Sequence, residues 1–259
     1  MPDAERGPQA PIISLRGITK HFGGVYAIRD VDLDIYRGEI LALIGDNGAG
    51  KSTLIKIIAG AYGADAGEIL IDGLKAQIES PADAKRYNIE TIYQDLALMD
   101  NLDIAPNIFI GREIVRGGIG RFFKILDYGR MLEETRKVLE RLNVKVPDLK
   151  KKVFFLSGGQ RQSVAISKAI YFNARVIIMD EPTASLGVEE TAKVYGLIRE
   201  LTKNNIAVIL ISHNINEVFG LADRFVVLKT GRVVGVRRKQ ETSLEEILKM
   251  IITGQTEGT

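Results

Sequence analysis

The side chains with the most chemistry in them lie in three short stretches. The first, Gly45-Asp46-Asn47-Gly48-Ala49-Gly50-Lys51-Ser52-Thr53, fills every position of the pattern G-x-x-x-x-G-K-[ST]. Its glycines tolerate positive φ and carry no Cβ, so backbone N–H groups can turn inward around phosphate oxygens. Lys51 then offers a point charge to the β- and γ-phosphates of a nucleotide, and Ser52 a hydroxyl where Mg²⁺ needs an oxygen. The second stretch is Asp180-Glu181. Asp180 suits Mg²⁺ coordination, directly or through water, while Glu181 suits orienting or deprotonating the water that attacks a γ-phosphate. The third is Leu156-Ser157-Gly158-Gly159-Gln160. Ser157 is a good N-cap type, and the two glycines let N–H groups approach an anion at a helix start. One chain does not need two phosphate-receiving surfaces for one nucleotide, which suggests that the second serves a neighbouring copy.

Elements that can position these groups are legible around them. The apolar run 40–44 before the loop and the run from Leu54 after it read as strand and helix. Residues 176–179 form a continuous apolar run, as expected of a central parallel strand with both carboxylates at its C-terminal edge, where open α/β sheets place ligands. Residues 207–212 read as another buried strand, ending at His213, which could hydrogen-bond a γ-phosphate or be structural. Residues 89–93 are a further strand, ending near Gln94, whose amide could bond a Mg²⁺-bound water or the attacking water, or be plain loop polarity. A ring ahead of the phosphate loop, Phe22 or Tyr26, could stack on a purine or serve only packing.

The remaining expectations are coarser. Strands are expected over 12–15 and 31–35 with a turn at 21–27 between them, a hairpin strand over 67–73, and a helix over 80–85 capped by Ser80 with Pro81 in its first turn. From 95 to 156 strand signals fade and 126–142 has helical spacing, so a helical insert is expected, broken by Pro106, Gly117-Gly118 and Gly120. Lys150-Lys151-Lys152 could touch a phosphate or be a solvated connector. A helical pattern follows over 161–171, and the chain closes with strands at 224–228 and 232–236 around the turn Thr230-Gly231 and a helix over 244–252.

The chain has 259 residues, 35 basic and 33 acidic, no cysteine and two histidines. That length supports a full core, and the near balance of charge argues against a dedicated nucleic-acid surface. Without cysteine there is no disulfide, thiol nucleophile or Cys-ligated zinc. The first residues carry charge and proline where a signal peptide needs an apolar core, and no apolar run approaches the ~20 residues of a bilayer span.

The ordered set resembles the ATP-binding subunit of ABC transporters over nearly the whole chain after the tail, carried by Leu156–Gln160 standing between a complete phosphate loop and an apolar strand ending in Asp-Glu. The resemblance implies an α/β P-loop NTPase (RecA-like) fold with a mainly parallel sheet, an antiparallel β subdomain and a helical insert. It implies a tail over 1–11, core segments over 12–93 and 157–259, and a helical subdomain over 94–156. It implies ATP and Mg²⁺ as cofactors, with Gly45 to Thr53 and Ser157 to Gln160 binding nucleotide, Ser52, Gln94 and Asp180 about the metal, and Glu181 as base. By the same resemblance Phe22 stacks on adenine, Gln94 couples the site to the membrane subunit, and His213 is the switch histidine. Partners would be a second copy, permease subunits and, indirectly, a solute-binding protein, with the chain on the cytoplasmic face of the inner membrane.

Within that family, the segments Gly45 to Gly60, Ile92-Tyr93-Gln94 and Asn107 to Gly111 are most similar to importers of simple sugars. A soluble ABC-type ATPase acting on DNA or ribosomes is the alternative. Two features depart from the family pattern: Ala184-Ser185-Leu186-Gly187 stands where Ser-Ala-Leu-Asp is usual, and Pro106 falls where an uninterrupted helix is common.

Overall fold

The computed structural model describes residues 10–118, 122–146 and 148–255. Gly120 and most of the expected tail lie outside the described residues. β1 (Ile13–Phe22) pairs antiparallel with β2 (Val25–Ile35) and with β4 (Ala66–Ile71), and β5 (Leu74–Ala76) completes a sheet of order β2-β1-β4-β5. The first two strands run well past their expected ends. The segment 21–27 is no loop: His21 pairs with Tyr26 and Phe22 with Val25, leaving Gly23-Gly24 as the turn. Aromatic and β-branched side chains favour the ladder, and a two-residue turn with Gly23 at φ 58° closes it.

A second sheet has six strands in the order β10-β9-β3-β8-β7-β6. These are β3 (Ile40–Ile44), β6 (Ile89–Ile92), β7 (Val176–Asp180), β8 (Ala207–Ile211), β9 (Arg224–Lys229) and β10 (Arg232–Arg238). β3 is parallel to β8 and β9, and β7 to β8, while the edge strand β10 is antiparallel to β9. Every residue of β3 and β8 is buried, as strands covered on both faces are. Register does the positioning. Ile211 lies opposite both Leu43 and Asp180, so the chain leaves β3, β7 and β8 at one edge of the sheet. Helix α1 (Lys51–Ile58) follows β3, and its Leu54 and Ile57 join Leu15, Ile35, Leu43, Ile209 and Val226 in one apolar core. The Ser80-capped helix α2 (Pro81–Arg86) forms as expected.

Where the two sheets meet, Arg224 grips Glu39 through Nε at 3.1 Å and Nη2 at 2.6 Å, and the same Nη2 donates to the Asp34 carbonyl. Its guanidinium also lies 5.0 Å from the Tyr36 ring centroid. One mostly buried side chain, 11% exposed, therefore ties the end of β2, the start of β3 and the start of β9.

Chain contacts separate two units: residues through Thr91, Arg175–Glu181 and Leu201 onward, and residues Ile92–Ala174 with Pro182–Glu200. The second contains α3 (Ile104–Phe109), α4 (Tyr128–Arg141), α5 (Gly158–Tyr171) and most of α6 (Val188–Lys203). Pro106 does not interrupt a helix. It sits in the first turn of α3, where a missing N–H breaks no helical bond. α4 starts later than its apolar spacing indicates because Leu126 bridges Val115 and Asp127 caps the helix. α5 starts earlier, because Ser157 and Gln160 close a capping box ahead of it. The Lys150 to Lys152 run is a connector whose Lys152 backbone forms an antiparallel β-bridge with that of Asp103. The chain ends in α7 (Ile215–Leu221) and α8 (Leu244–Thr253).

The clamp on Glu39 generates a stability prediction. Glu39→Ala leaves a mostly buried guanidinium with only the Asp34 carbonyl as hydrogen-bond partner and is expected to cost about 1–3 kcal/mol in urea unfolding. A loss below about 0.5 kcal/mol, the size of an ordinary surface change, would refute the clamp.

Candidate nucleotide and signature sites

The phosphate loop is held by close backbone packing. Gly45, Gly48 and Gly50 all have positive φ, at 150°, 80° and 105°. A Cβ on Gly45 would sit 2.2 Å from the Leu228 carbonyl oxygen, and one on Gly50 2.6 Å from that of Ala27, whereas Gly48 faces open space. Two of the three glycines are thus required by what the loop packs against as well as by φ. The Thr230-Gly231 turn completes the seat: the Gly231 N–H donates to Ala49 at 3.0 Å and its carbonyl accepts from Arg29 at 2.8 Å. Sequence reasoning found that turn but missed this contact, because β9–β10 pairing alone does not say which loop the turn abuts. No side chain caps α1 and no acid lies in its first turn, so the positive end of the helix is left for an anion.

Lys51 lies inside the loop, its Nζ donating to the carbonyls of Gly45 at 2.6 Å and Asp46 at 2.9 Å. Burial lowers its pKa from the ordinary lysine value, against the opposing pull of Glu181, Asp46 and Asp180. Burial likewise raises the Asp180 carboxyl above the usual carboxylate range, helped by the charge of Glu181 and opposed by Lys56 and Lys51. The structure therefore brings Lys51, Asp46, Asp180 and Glu181 into one electrostatic group.

Glu181 carries a further pairing. Its backbone is left-handed, at φ 52°, with its N–H on the Ile211 carbonyl at 2.9 Å. The side chain is 17% exposed, and Oε1 accepts from the His213 backbone N–H at 3.0 Å while meeting Nδ1 at 2.8 Å. With Glu181 ionised, Nδ1 must carry a proton. Nε2 can then donate to a phosphate oxygen only in the doubly protonated imidazolium. The sequence placed His213 at the right edge; its pairing with Glu181 was not readable from spacing.

Phe22 is half exposed at the end of β1, edge-on to Tyr62 at 5.4 Å between centroids, with Lys20 Nζ 5.6 Å from its ring centre. Tyr26 is equally exposed and has the Arg29 guanidinium 5.1 Å from its centroid. Both rings present surface on which a base can stack.

The second unit holds the other predicted groups. The Ser157 hydroxyl oxygen accepts from the Gln160 N–H at 3.4 Å, and Gln160 Oε1 accepts from the Ser157 N–H at 3.1 Å. A Cβ on Gly158 would fall 2.6 Å from Leu186 Cδ2, and one on Gly159 3.1 Å from the Glu190 Cβ. These glycines, read from the sequence as openings for an anion, are also closely covered by the side chains of Leu186 and Glu190. Glu190, which sequence reasoning did not single out, packs on these glycines, and the Ser157 hydroxyl and the N–H groups of Gly159 and Gly187 hold its carboxyl below the usual carboxylate range. Gln94 is exposed in the bend after β6. The stretch following it is fastened by buried Asn107, whose side chain bonds Met99 through both N–H and carbonyl, at 2.7 and 3.0 Å, and the Asp103 carbonyl at 2.9 Å.

Among the described residues no group of three His, Cys, Asp or Glu side chains is placed to hold a metal. Mg²⁺ is bound through one or two protein oxygens with substrate phosphates and waters, and the half-buried Asp180 carboxyl, whose charge burial disfavours, suits such a cation.

A parallel sheet with a glycine-rich loop and acidic groups at one edge defines a P-loop nucleoside-triphosphatase. A model of the family described as ABC transporter matches residues 28–184. The chain belongs to the ABC transporter family, as one of its ATP-binding proteins. It is 46% identical over 93% of both chains to the xylose/arabinose import ATP-binding protein XylG of Sulfolobus acidocaldarius, and 44% identical over 96% of both to the fructose import ATP-binding protein FrcA of Rhizobium meliloti. It is also 42% identical to the ribose import ATP-binding protein RbsA 2 of Escherichia coli O157:H7, of which it spans about half, 46%, while 93% of this chain is covered. Among solved structures it resembles a nucleotide-free ATP-binding cassette from an ABC transporter, with TM-score 0.79 and 27% identity over 94% of this chain and 95% of that one. It also resembles a dimeric ATP-binding cassette in a post-hydrolysis state bound to ADP and Pi, with TM-score 0.71 and 26% identity over 89% and 100% of the two chains.

Two substitutions test the geometry of the phosphate site. Lys51→Ala is expected to weaken ATP binding about 100-fold or more in calorimetry, by loss of a charge-assisted contact worth ~3 kcal/mol. Near-native affinity in a folded variant would remove the phosphate-loop assignment. Asp180→Asn is expected to abolish hydrolysis while raising the melting temperature at neutral pH, because it removes a carboxylate disfavoured by burial. A raised folded-state pKa means that ionisation subtracts stability as pH rises, so the gap between the variant and the wild type should close on acidification. A variant less stable at neutral pH would contradict this.

Proposed function

We propose that the chain is the ATP-hydrolysing subunit of an importer of simple sugars, working as a pair of copies on separate permease subunits that receive the sugar from a solute-binding protein. The observation that carries this reading is the joining of Lys51, Asp180, Glu181 and His213 at one sheet edge, in a chain 46% identical to a pentose-import ATP-binding protein over 93% of its length. The likeness to sugar-import proteins favours this over a soluble ATPase acting on DNA or ribosomes. Attachment to the cytoplasmic face of the membrane would come through the permease, since no helix among the described residues is long and apolar enough to cross.

In this reading Phe22 stacks on adenine, the N–H groups of Gly45 to Thr53 bind the phosphates, and Lys51 leaves the loop carbonyls for the β- and γ-phosphates. Ser52 and Asp180, with Gln94 through water, would hold Mg²⁺, which would neutralise charge on the phosphates. Glu181 takes the proton of the attacking water, and His213 orients that carboxylate through its N–H and Nδ1. Ser157 and Gly159 of one copy close over the γ-phosphate held by Lys51 of the other, so each ATP links two chains.

Glu181→Gln keeps the shape of the side chain and loses its basicity. It is expected to bind ATP, hydrolyse it at least about 100-fold more slowly, and accumulate as a dimer in size-exclusion light scattering with ATP but not ADP. Hydrolysis at the wild-type rate would remove Glu181 as the base. An ATP-bound variant that stays monomeric at high protein concentration would remove Ser157 and Gly159 as the second phosphate surface.

A further inference from the structure

The anion seat at the start of α5 is already engaged by an anion of the same chain. The Glu190 carboxylate lies against this seat, its Oε2 3.8 Å from where a Cβ on Gly158 would stand and its Cδ 3.6 Å from where one on Gly159 would. The Ser157 hydroxyl and the Gly159 N–H, the two donors that the reading above assigns to the γ-phosphate of a second copy, hold it below the usual carboxylate range. The Ser157 hydroxyl has one proton to give, and its oxygen already accepts from Gln160, so it cannot serve both anions. A carboxylate and a phosphate in one seat also repel each other.

Glu190 is held in that position by the start of its own helix. It is the third residue of α6, and its bond to the Gly187 N–H is the return half of a capping box. Gly187 has no side chain to make the forward half, and a Cβ there would meet nothing within 4 Å. Lys193 stands one turn further along α6 and attracts Glu190. Both line a cavity of about 500 Å³ together with Ser157, Gly159 and Gln160, so the carboxylate has a place to go and a cation to go to.

We propose that Glu190 is an internal competitor for the signature seat: its carboxylate must leave Ser157 and Gly159 and turn toward Lys193 before the nucleotide of a second copy can enter. One side chain on α6 then sets how much ATP is needed to pair two copies. This rests on the assignment of the seat to a partner's γ-phosphate.

The test is an ATP titration of dimer formation by light scattering in the Glu181→Gln background, at fixed protein concentration. Adding Glu190→Gln preserves shape and cap but removes the charge, and is expected to lower the ATP concentration at half-dimerisation by about fivefold or more. Glu189→Gln, which removes a neighbouring exposed charge, is expected to leave it unchanged. Lys193→Met removes the receiving cation and is expected to raise it. If Glu181→Gln alone does not pair with ATP, the seat assignment itself fails. If it pairs but Glu190→Gln leaves the midpoint unchanged or raises it, Glu190 is only a helix cap and the competition is wrong. Should Glu190→Gln not fold, an unchanged midpoint in Lys193→Met overturns the proposal and a raised one supports it.

Discussion

Burial of charge at one sheet edge is the constraint on which the rest depends. Lys51 is lowered and Asp180 raised by the same desolvation, with Glu181 and Asp46 adding negative charge and only Lys51 and Lys56 opposing it. A site arranged this way is poorly satisfied by its own side chains. Under the proposed reading it would be better matched by a phosphate on the loop N–H groups, with Asp180 available to a divalent cation. The glycine packing under the loop, at Leu228 and Ala27, keeps those backbone donors in place against strands of both sheets.

Much of this was legible in the sequence because it rests on local chemistry. The phosphate loop, the buried strand ending in Asp180, the Ser157 cap and the Ser80–Pro81 helix start each depend on neighbours a few residues away. The strand ends around Gly23-Gly24 were misjudged because a glycine pair flanked by aromatics looks like a long turn until cross-strand pairing is known. Pro106 looked like a break for a related reason: a proline reveals a boundary without saying on which side of it the helix lies. Contacts such as Gly231 on Ala49, Arg224 on Glu39 and His213 on Glu181 join segments far apart in the chain, and no local pattern specifies them.

The glycines of the two phosphate-receiving surfaces illustrate a wider point about reading motifs. Gly45, Gly50, Gly158 and Gly159 are all explained by access for an anion, yet at Gly45 and Gly50 a Cβ would collide with backbone, and at Gly158 and Gly159 it would press on the side chains of Leu186 and Glu190. Such a motif is constrained from two sides, by the ligand and by the packing beneath. Gly187 is the opposite case: nothing crowds it, so the absence of a side chain there leaves α6 to be capped by Glu190.

The edge strand β10 bears on how copies of the chain meet. It carries Arg232, Arg237 and Arg238, and Arg237 is anchored to Glu246 at 2.7 Å. Cationic side chains along an edge oppose the addition of another strand, since two such edges brought together would repel. The chain is thereby protected from open-ended β-addition on that side.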